Sequence, residues 1–416
     1  MVRKLSAPLF AQLELTEGCN HRCGYCSNPF SHRRLKSPSI KETETALGEL
    51  LKNRVFSVVL TGGEPFTNRE VLHYAIDRLN REPIEVYVNT NLSQPIKQED
   101  INKLRTVDYV LVSFPSYNEE RFNKIVGANS FQKVVANLER VVSEGIHVGI
   151  NQVVTPLNYA DVGETVDFLV EKIGLREFSA SPVIPSCSGT SADYSINSTQ
   201  ILELAKQLID IEKKTGVRTD MLTFIPPCFF PETMIEHRLA AHGCSASRDS
   251  AIISATGDVR KCALLPKSYG NIHNEDLKTI WGRILEAQKP SNIHCSSCMP
   301  YEYCANGCEA RAVACGGEDP FVIGLPEKRR KSLYKTLEDS TVLVVDRVMF
   351  RPEGEEYLIG HGGSYVMGNE YLLKLLERIK GKRFSFFDAK RDWGEPGAKL
   401  VNYLFNRGIL KICNSN

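Results

Sequence analysis

The chain has 416 residues, 42% of them hydrophobic, with 51 basic and 50 acidic side chains for a net charge of +1. Such a length implies two or three domains, and so even a charge balance gives no overall pull toward nucleic acid or an anionic membrane. No window of about 18 uninterrupted apolar residues could span a membrane, and Met1-Val2-Arg3-Lys4 runs into Pro8, Gln12 and Glu14 without a signal-peptide core, so a soluble cytoplasmic protein is expected.

From residue 9 to about 216 short β-branched runs alternate with longer amphipathic stretches. Strands are expected over Leu9–Leu15, Phe56–Thr61, Ile84–Asn89, Tyr109–Phe114, His147–Val154 and Glu177–Val183. Helices are expected near 40–53, 69–80, 130–144, 162–173 and 198–215. Six βα units predict an α/β fold, a parallel sheet open or curled into a partial (β/α)6 TIM-like barrel, over residues 1–220. Beyond 220 the rhythm stops: residues 221–318 are cysteine-rich with one short helix, Leu277–Ala287, and too few apolar residues for a large core, so metal should hold them together. Residues 319–340, with the basic run Lys328-Arg329-Arg330-Lys331, read as a linker. A small C-terminal α+β unit, residues 341–416, has strand candidates Val342–Met349 and Glu356–Ile359 and helical segments near 369–379 and 396–407, a winged-helix-like order.

Thirteen cysteines, an odd number, are a poor disulfide scaffold for a chain read as cytoplasmic, so metal or redox chemistry is indicated. Cys19, Cys23 and Cys26 form CxxxCxxC directly after the first strand, where side chains project at the C-terminal mouth of a βα barrel. Three thiolates can hold three irons of a [4Fe–4S] cube and leave the fourth open to a cofactor. By spacing alone, a zinc site completed by His21 or His32 is the alternative.

The run Cys19-Asn20-His21-Arg22-Cys23-Gly24-Tyr25-Cys26, with Thr61-Gly62-Gly63-Glu64-Pro65 after the second strand, resembles the motif pair of the radical S-adenosylmethionine superfamily. The resemblance implies that Gly62, Gly63, Glu64 and Pro65 meet the methionine end of S-adenosylmethionine beside Tyr25. It also implies that Asn91, Ser113 and Asn151, at or along later strands, present polar groups to its ribose and carboxylate. Glycines allow close backbone approach, and Glu64 can accept hydrogen bonds from an ammonium. Pro115-Ser116 stands where an Asp-Gly is common in that family, so the ribose contacts depart from its usual pattern.

Downstream, Cys244 is followed by twelve residues, Gly257, four residues and Cys262; then Cys295xxCys298, five residues to Cys304, three to Cys308, and Cys315. This resembles the SPASM domain, which holds two auxiliary clusters. The family pattern implies that Cys244, Cys262 and Cys308 hold one cluster and Cys295, Cys298, Cys304 and Cys315 the other, with Cys228 the candidate fourth ligand of the first. A zinc ribbon on Cys295, Cys298, Cys304 and Cys308 would leave Cys244, Cys262 and Cys315 without a role. Cys187 and Cys413 fit no pattern.

The resemblance implies an oxidoreductase with three [4Fe–4S] clusters and S-adenosylmethionine, reduced by a flavodoxin- or ferredoxin-type donor. Its 5′-deoxyadenosyl radical would abstract hydrogen from a ribosomally made precursor peptide and lead to an oxidative cross-link or new bond. Alternatives are a dehydrogenase of a small alcohol or sugar, a sulfatase-type maturase of a protein side chain, and a non-catalytic metal-stabilised binding protein. The C-terminal unit would bind a leader peptide by strand addition or cap the second domain. No pattern among His21, His73 and His147 assigns a general acid or base.

Overall fold

The computed structural model describes residues 4–27, 36–184, 192–235, 237–240, 243–287, 295, 304, 307–324, 336–361 and 364–413. Its first two hundred residues alternate β1 (Phe10–Glu14), α1 (Ile40–Lys52), β2 (Ser57–Thr61), α2 (Arg69–Leu79), β3 (Glu85–Thr90), α3 (Gln98–Leu104), β4 (Tyr109–Ser113), α4 (Glu119–Val126), α5 (Phe131–Ser143), β5 (Val148–Val154), α6 (Val162–Ile173), β6 (Glu177–Pro182), α7 (Ser198–Thr215) and β7 (Arg218–Asp220). Local signals set the boundaries. Ser39 and Glu42 close a capping box at the start of α1, and α4, α6 and α7 end on the left-handed glycines Gly127, Gly174 and Gly216.

β1 to β7 lie side by side in chain order, all parallel. Their outward residues, such as Leu13, Leu60, Val88, Val112 and Ile150, are buried under the helices. The opposite face carries Gln12, Glu14, Asn89, Ser113 and Asn151 into the lumen, so the sheet is apolar on one side and polar on the side that matters for chemistry.

The cysteine-rich region is built differently from its sequence expectation. After the short helix α8 (Glu232–Ile235), β8 (Ser250–Ile253) pairs in parallel with β1, and β9 (Asp258–Arg260) and β10 (Ser268–Asn271) follow antiparallel, extending the sheet to ten strands. Ile253, Val259, Ile272 and, from α9 (Leu277–Glu286), Ile280, Trp281 and Ile284 belong to the same core as the barrel. Trp281 Nε1 donates to Leu5 O at 2.9 Å in a buried contact. This half of the region therefore takes its stability from the barrel's core, because strand pairing to β1 lends it an apolar neighbour it could not build alone. A short helix α10 (Glu309–Ala314) follows Cys308. Cys187, Cys298, His32 and the basic run 328–331 lie outside the described residues.

In the C-terminal unit the run expected as one strand over Val342–Met349 breaks at Asp346-Arg347 into β11 (Val342–Val344) and β12 (Met349–Glu353). β12, β13 (Glu356–His361) and β14 (Ser364–Gly368) form an antiparallel meander, followed by α11 (Glu370–Ile379), β15 (Phe384–Ser385), α12 (Phe386–Asn406) and β16 (Lys411–Ile412). α12 starts ten residues before the expected position and bends at Gly394 (φ 64°), just before Pro396. One face of the meander, with Ile359 and Val366, packs on these helices. The other, with Met349 and Leu358, packs on Leu5, Leu9 and Phe56. Arg351 Nη1 donates to Pro8 O and Asn53 O, and Nη2 to Ala7 O, while Arg347 pairs with Asp108 at 2.9 Å. Leu9, Phe56 and Asp108 precede β1, β2 and β4, so the unit sits on the barrel floor, opposite the cysteine mouth. The expected cap on the second domain is thus chiefly a cap on the barrel.

Candidate active site

The cysteine loop leaves β1 and is tied down by its own backbone. Gly18 N donates to Thr16 Oγ1 at 2.9 Å, Arg22 N to Val126 O at 2.8 Å and Cys26 N to Cys23 O at 3.0 Å. The Gly62-Gly63-Glu64 segment after β2 locks against it: Gly63 N donates to Thr16 O and Glu64 N to Gly18 O. Gly62 has φ 141°, and a Cβ on Gly63 would fall 2.0 Å from Gly18 O. The close approach they permit is to the cysteine loop itself.

Glu64 is 1% exposed. Its Oε1 accepts from Thr90 Oγ1 at 2.7 Å and Phe66 N at 3.1 Å, and its Oε2 from Asn91 N at 2.6 Å. Burial pushes it up to about 7 despite these donors. The expected acceptor for a ligand ammonium is therefore engaged by protein donors, and Glu64 acts here as the clamp between the ends of β2 and β3. Pro65 opens a buried turn behind it. Asn91, held at its backbone by that clamp, directs Nδ2 toward Asn20 Oδ1 (3.0 Å) and Cys19 Sγ (3.7 Å), while Ser93 Oγ accepts from Asn20 Nδ2 at 2.6 Å.

Burial pushes Cys19 up to about 11 and Cys23 up to about 12, and in both the neighbouring thiols of the set add to the shift. The Tyr25 hydroxyl bonds the Cys23 thiol. Three thiols that cannot ionise together without a shared positive charge suit a multi-iron cluster. Among the described residues no three His, Cys, Asp or Glu side chains converge on a single ion-sized point, whereas a cube takes each thiolate at its own corner. His21, weighed as a zinc ligand, is buried with Nε2 2.9 Å from Ser130 Oγ, and burial lowers it to about 4. Ser113, at the end of β4, is the register neighbour of Asn151 in the middle of β5, and Asn151 Oδ1 accepts from Ser181 Oγ at 2.8 Å. Ser116 Oγ, in the departing Pro115-Ser116 step, donates to Asp161 at 3.1 Å.

A cavity of about 630 Å³ opens beside the loop. Tyr25 and Cys26 line it from the barrel, and Cys244, Cys262 and Cys308 line it from the second domain. Cys262 and Cys308 pack in one small apolar cluster with Leu265 and Phe224. Cys308 N donates to Asp319 Oδ2 at 2.7 Å, and Asp319 is itself clasped by the buried Arg311. Cys228 does not line this cavity: its buried thiol accepts from Ile323 N at 3.3 Å and donates to Phe321 O at 3.6 Å. Of the other set, Cys295 and Cys304 are buried and Cys315 exposed at the end of α10.

The family model of the radical SAM superfamily matches residues 13–169, and that of the iron–sulfur cluster-binding domain SPASM matches residues 244–309. The chain thus carries a radical SAM domain followed by an iron–sulfur SPASM domain. It is 27% identical over 316 residues to the antilisterial bacteriocin subtilosin biosynthesis protein AlbA of Bacillus subtilis, covering 72% of this chain and 67% of that one. It is 28% identical over 336 residues to the mycofactocin maturase MftC of Mycobacterium tuberculosis, covering 76% and 83%. The fold is similar to Streptococcus suis SuiB bound to precursor peptide SuiA, with TM-score 0.62, 20% identity and coverage of 74% and 73%.

Two buried ion pairs of this radical SAM enzyme escaped the sequence reading. Arg260 on β9 pairs with Glu14 across the β8 interface, and Lys261, lining the cavity, pairs with Glu309. Their signal was the basic pair immediately before Cys262. Their partners, far off in sequence, carried none.

Proposed function

We propose that this enzyme matures a ribosomally made precursor peptide, forming an oxidative cross-link or new bond at an unactivated carbon. The observation that carries the reading is the shared cavity: a substrate in it lies between Cys26 of the first set and Cys244, Cys262 and Cys308 of the second. AlbA, MftC and the SuiA-bound SuiB support a peptide as that substrate.

In this reading Cys19, Cys23 and Cys26 hold one [4Fe–4S] cluster. Cys244, Cys262 and Cys308 hold a second, and Cys295, Cys298, Cys304 and Cys315 a third. Bound S-adenosylmethionine, reduced through the first cluster by a flavodoxin- or ferredoxin-type donor in the cytoplasm, supplies the 5′-deoxyadenosyl radical that abstracts hydrogen. The chain's own residues do the positioning. Glu64 fixes the ends of β2 and β3, Asn91 orients the Cys19 sulfur, and Tyr25 covers Cys23 at the cavity wall. Ser113 and Asn151 offer polar groups at the barrel mouth, and the apolar walls of Val183, Leu222 and Phe224 keep water from the reacting centre. A cluster held by the second domain's cysteines would accept the electron left after bond formation.

The C-terminal unit, a three-stranded meander followed by helices, fits a winged-helix-like module that receives a leader peptide on a sheet edge, with β14 pairing only with β13. A leader held on the floor reaches the mouth only through a spacer at least one barrel strand long, roughly 20 Å or six extended residues. The test is turnover of the full chain with S-adenosylmethionine, dithionite and candidate precursor peptides drawn from short reading frames near its gene. A product lighter by a pair of hydrogen atoms, made with 5′-deoxyadenosine, is expected. An unmodified peptide, with oxidation of a small alcohol by residues 1–340 alone, would contradict the reading.

A further inference from the structure

Cys244 opens a short segment that doubles back into β8. Ser245 O accepts from the N–H groups of Arg248, Asp249 and Ser250, and Ser247 takes φ 61°, a left-handed value that a non-glycine residue keeps only where its surroundings hold it. Asp249 does the holding. It is 1% exposed, and its Oδ2 accepts from Arg248 Nε at 2.9 Å and from the Tyr365 hydroxyl at 3.2 Å. Its backbone oxygen accepts from Leu9 N and Phe10 N at 2.7 and 3.0 Å.

One residue thus joins three parts of the molecule: the start of β1, the cysteine segment, and β14 of the C-terminal unit. Arg248 is largely buried and is folded back toward Cys244 by the turn in which its N–H meets Ser245 O at 3.1 Å; burial works against its charge, but Asp249, Tyr365 and, last, Cys244 hold the guanidinium above its ordinary value.

We propose that Arg248 and Asp249 are positioning residues for the cluster on Cys244, Cys262 and Cys308, their opposite charges setting its reduction potential, and that Tyr365 links this setting to the C-terminal unit. The proposal rests on the assignment of an iron–sulfur cluster to those cysteines. A cation beside a ligand thiolate stabilises the more negative, reduced cluster and raises its potential; a carboxylate opposes it. The Tyr365 hydroxyl draws charge from Asp249 and so favours the cation. Tyr365 stands on the edge strand where a peptide would add, so docking bears directly on the contact that tunes the electron acceptor.

The experiment is a redox titration, followed by electron paramagnetic resonance, of the reconstituted full chain with Cys19, Cys23 and Cys26 changed to Ala, reading the signal that disappears with Cys244→Ala. Arg248→Gln should lower the potential and Asp249→Asn raise it. Arg248→Lys should stay near the parent, Tyr365→Phe should fall slightly, and Tyr371→Phe, at a residue 74% exposed, should not move it. Potentials that move together in Arg248→Gln and Asp249→Asn, or not at all, overturn the proposal. If Arg248→Gln loses its iron, Asp249→Asn decides: a lowered or unmoved potential overturns it. A parent without any Cys244-dependent signal contradicts the cluster assignment instead.

Discussion

Cys19, Cys23 and Cys26 lie within eight residues of one loop, whereas Cys244, Cys262 and Cys308 come from segments spread over 65 residues. The first loop is fixed by hydrogen bonds that involve Thr16, Gly63, Glu64 and Val126. The second set rests on a small apolar cluster and the buried Arg311–Asp319 pair. A ligand bound at the first site enters a finished scaffold, while a ligand at the second adds to the Lys261–Glu309 pair and the small apolar cluster in tying α10 to the segment after β9. Pre-organisation serves chemistry at one site, and metal serves structure at the other.

That contrast is broken most directly by exchanging cysteines for alanine. In reconstituted protein, Cys244, Cys262 and Cys308 changed together should cost on the order of 5 kcal/mol or more and open α10 to protease. The corresponding change of Cys19, Cys23 and Cys26 should cost less than about 1 kcal/mol. Equal losses in thermal unfolding would remove the distinction.

Gly63→Ala tests whether the scaffold precedes the cluster. Its Cβ would meet Gly18 O at 2.0 Å, so the loop must shift, at about 3 kcal/mol in urea unfolding, and iron at the first site should be lost while the second-domain iron stays. Arg351→Ala sharpens the comparison from the floor. Removing donors to Ala7, Pro8 and Asn53 should cost about 2–3 kcal/mol and leave peptide-independent S-adenosylmethionine cleavage unchanged.

The smallest effect is electrostatic. His147 Nε2 lies 3.7 Å from Glu177 Oε1, and this contact raises His147 above 6.5 and lowers Glu177 below 4.5. The raised histidine adds stability that is full below pH 6.5 and lost as pH rises through its folded value. The lowered glutamate adds stability above pH 4.5 and loses it as pH falls through its folded value. The pair should therefore contribute most between pH 4.5 and 6.5. With His147 59% exposed, solvent holds the gain to about 0.5 kcal/mol. His147→Gln should flatten that part of the stability profile.

Much of the barrel was legible because β2, β3, β4 and β5 carry β-branched runs and amphipathic segments of clear period follow β1, β2, β4, β5 and β6. α3 and α4 were not, being short and polar on most faces. β8 to β10 escaped because segments such as Ser268-Tyr269-Gly270-Asn271 carry turn residues, and only pairing in succession, β8 on β1, β9 on β8 and β10 on β9, makes strands of them. β14, Ser364-Tyr365-Val366-Met367-Gly368, escaped for the same reason. At the site, the motif cysteines and glycines were readable from spacing. Asn20, Ser93, Ser130 and Asp249 were not, since their partners are distant in sequence. Cys228 drew attention by nearness to Cys244 in the chain, but its thiol faces the backbone of Phe321 and Ile323.

The central claim is that Cys19, Cys23 and Cys26 hold the cluster at which S-adenosylmethionine is cleaved. Its most direct test is anaerobic reconstitution, iron counting and dithionite-driven formation of 5′-deoxyadenosine, in wild type and with the three cysteines changed to alanine. Near twelve irons in the wild type, about eight in the variant, and 5′-deoxyadenosine only in the wild type are predicted. Zinc in place of iron, or cleavage that survives the loss of all three cysteines, would contradict the account.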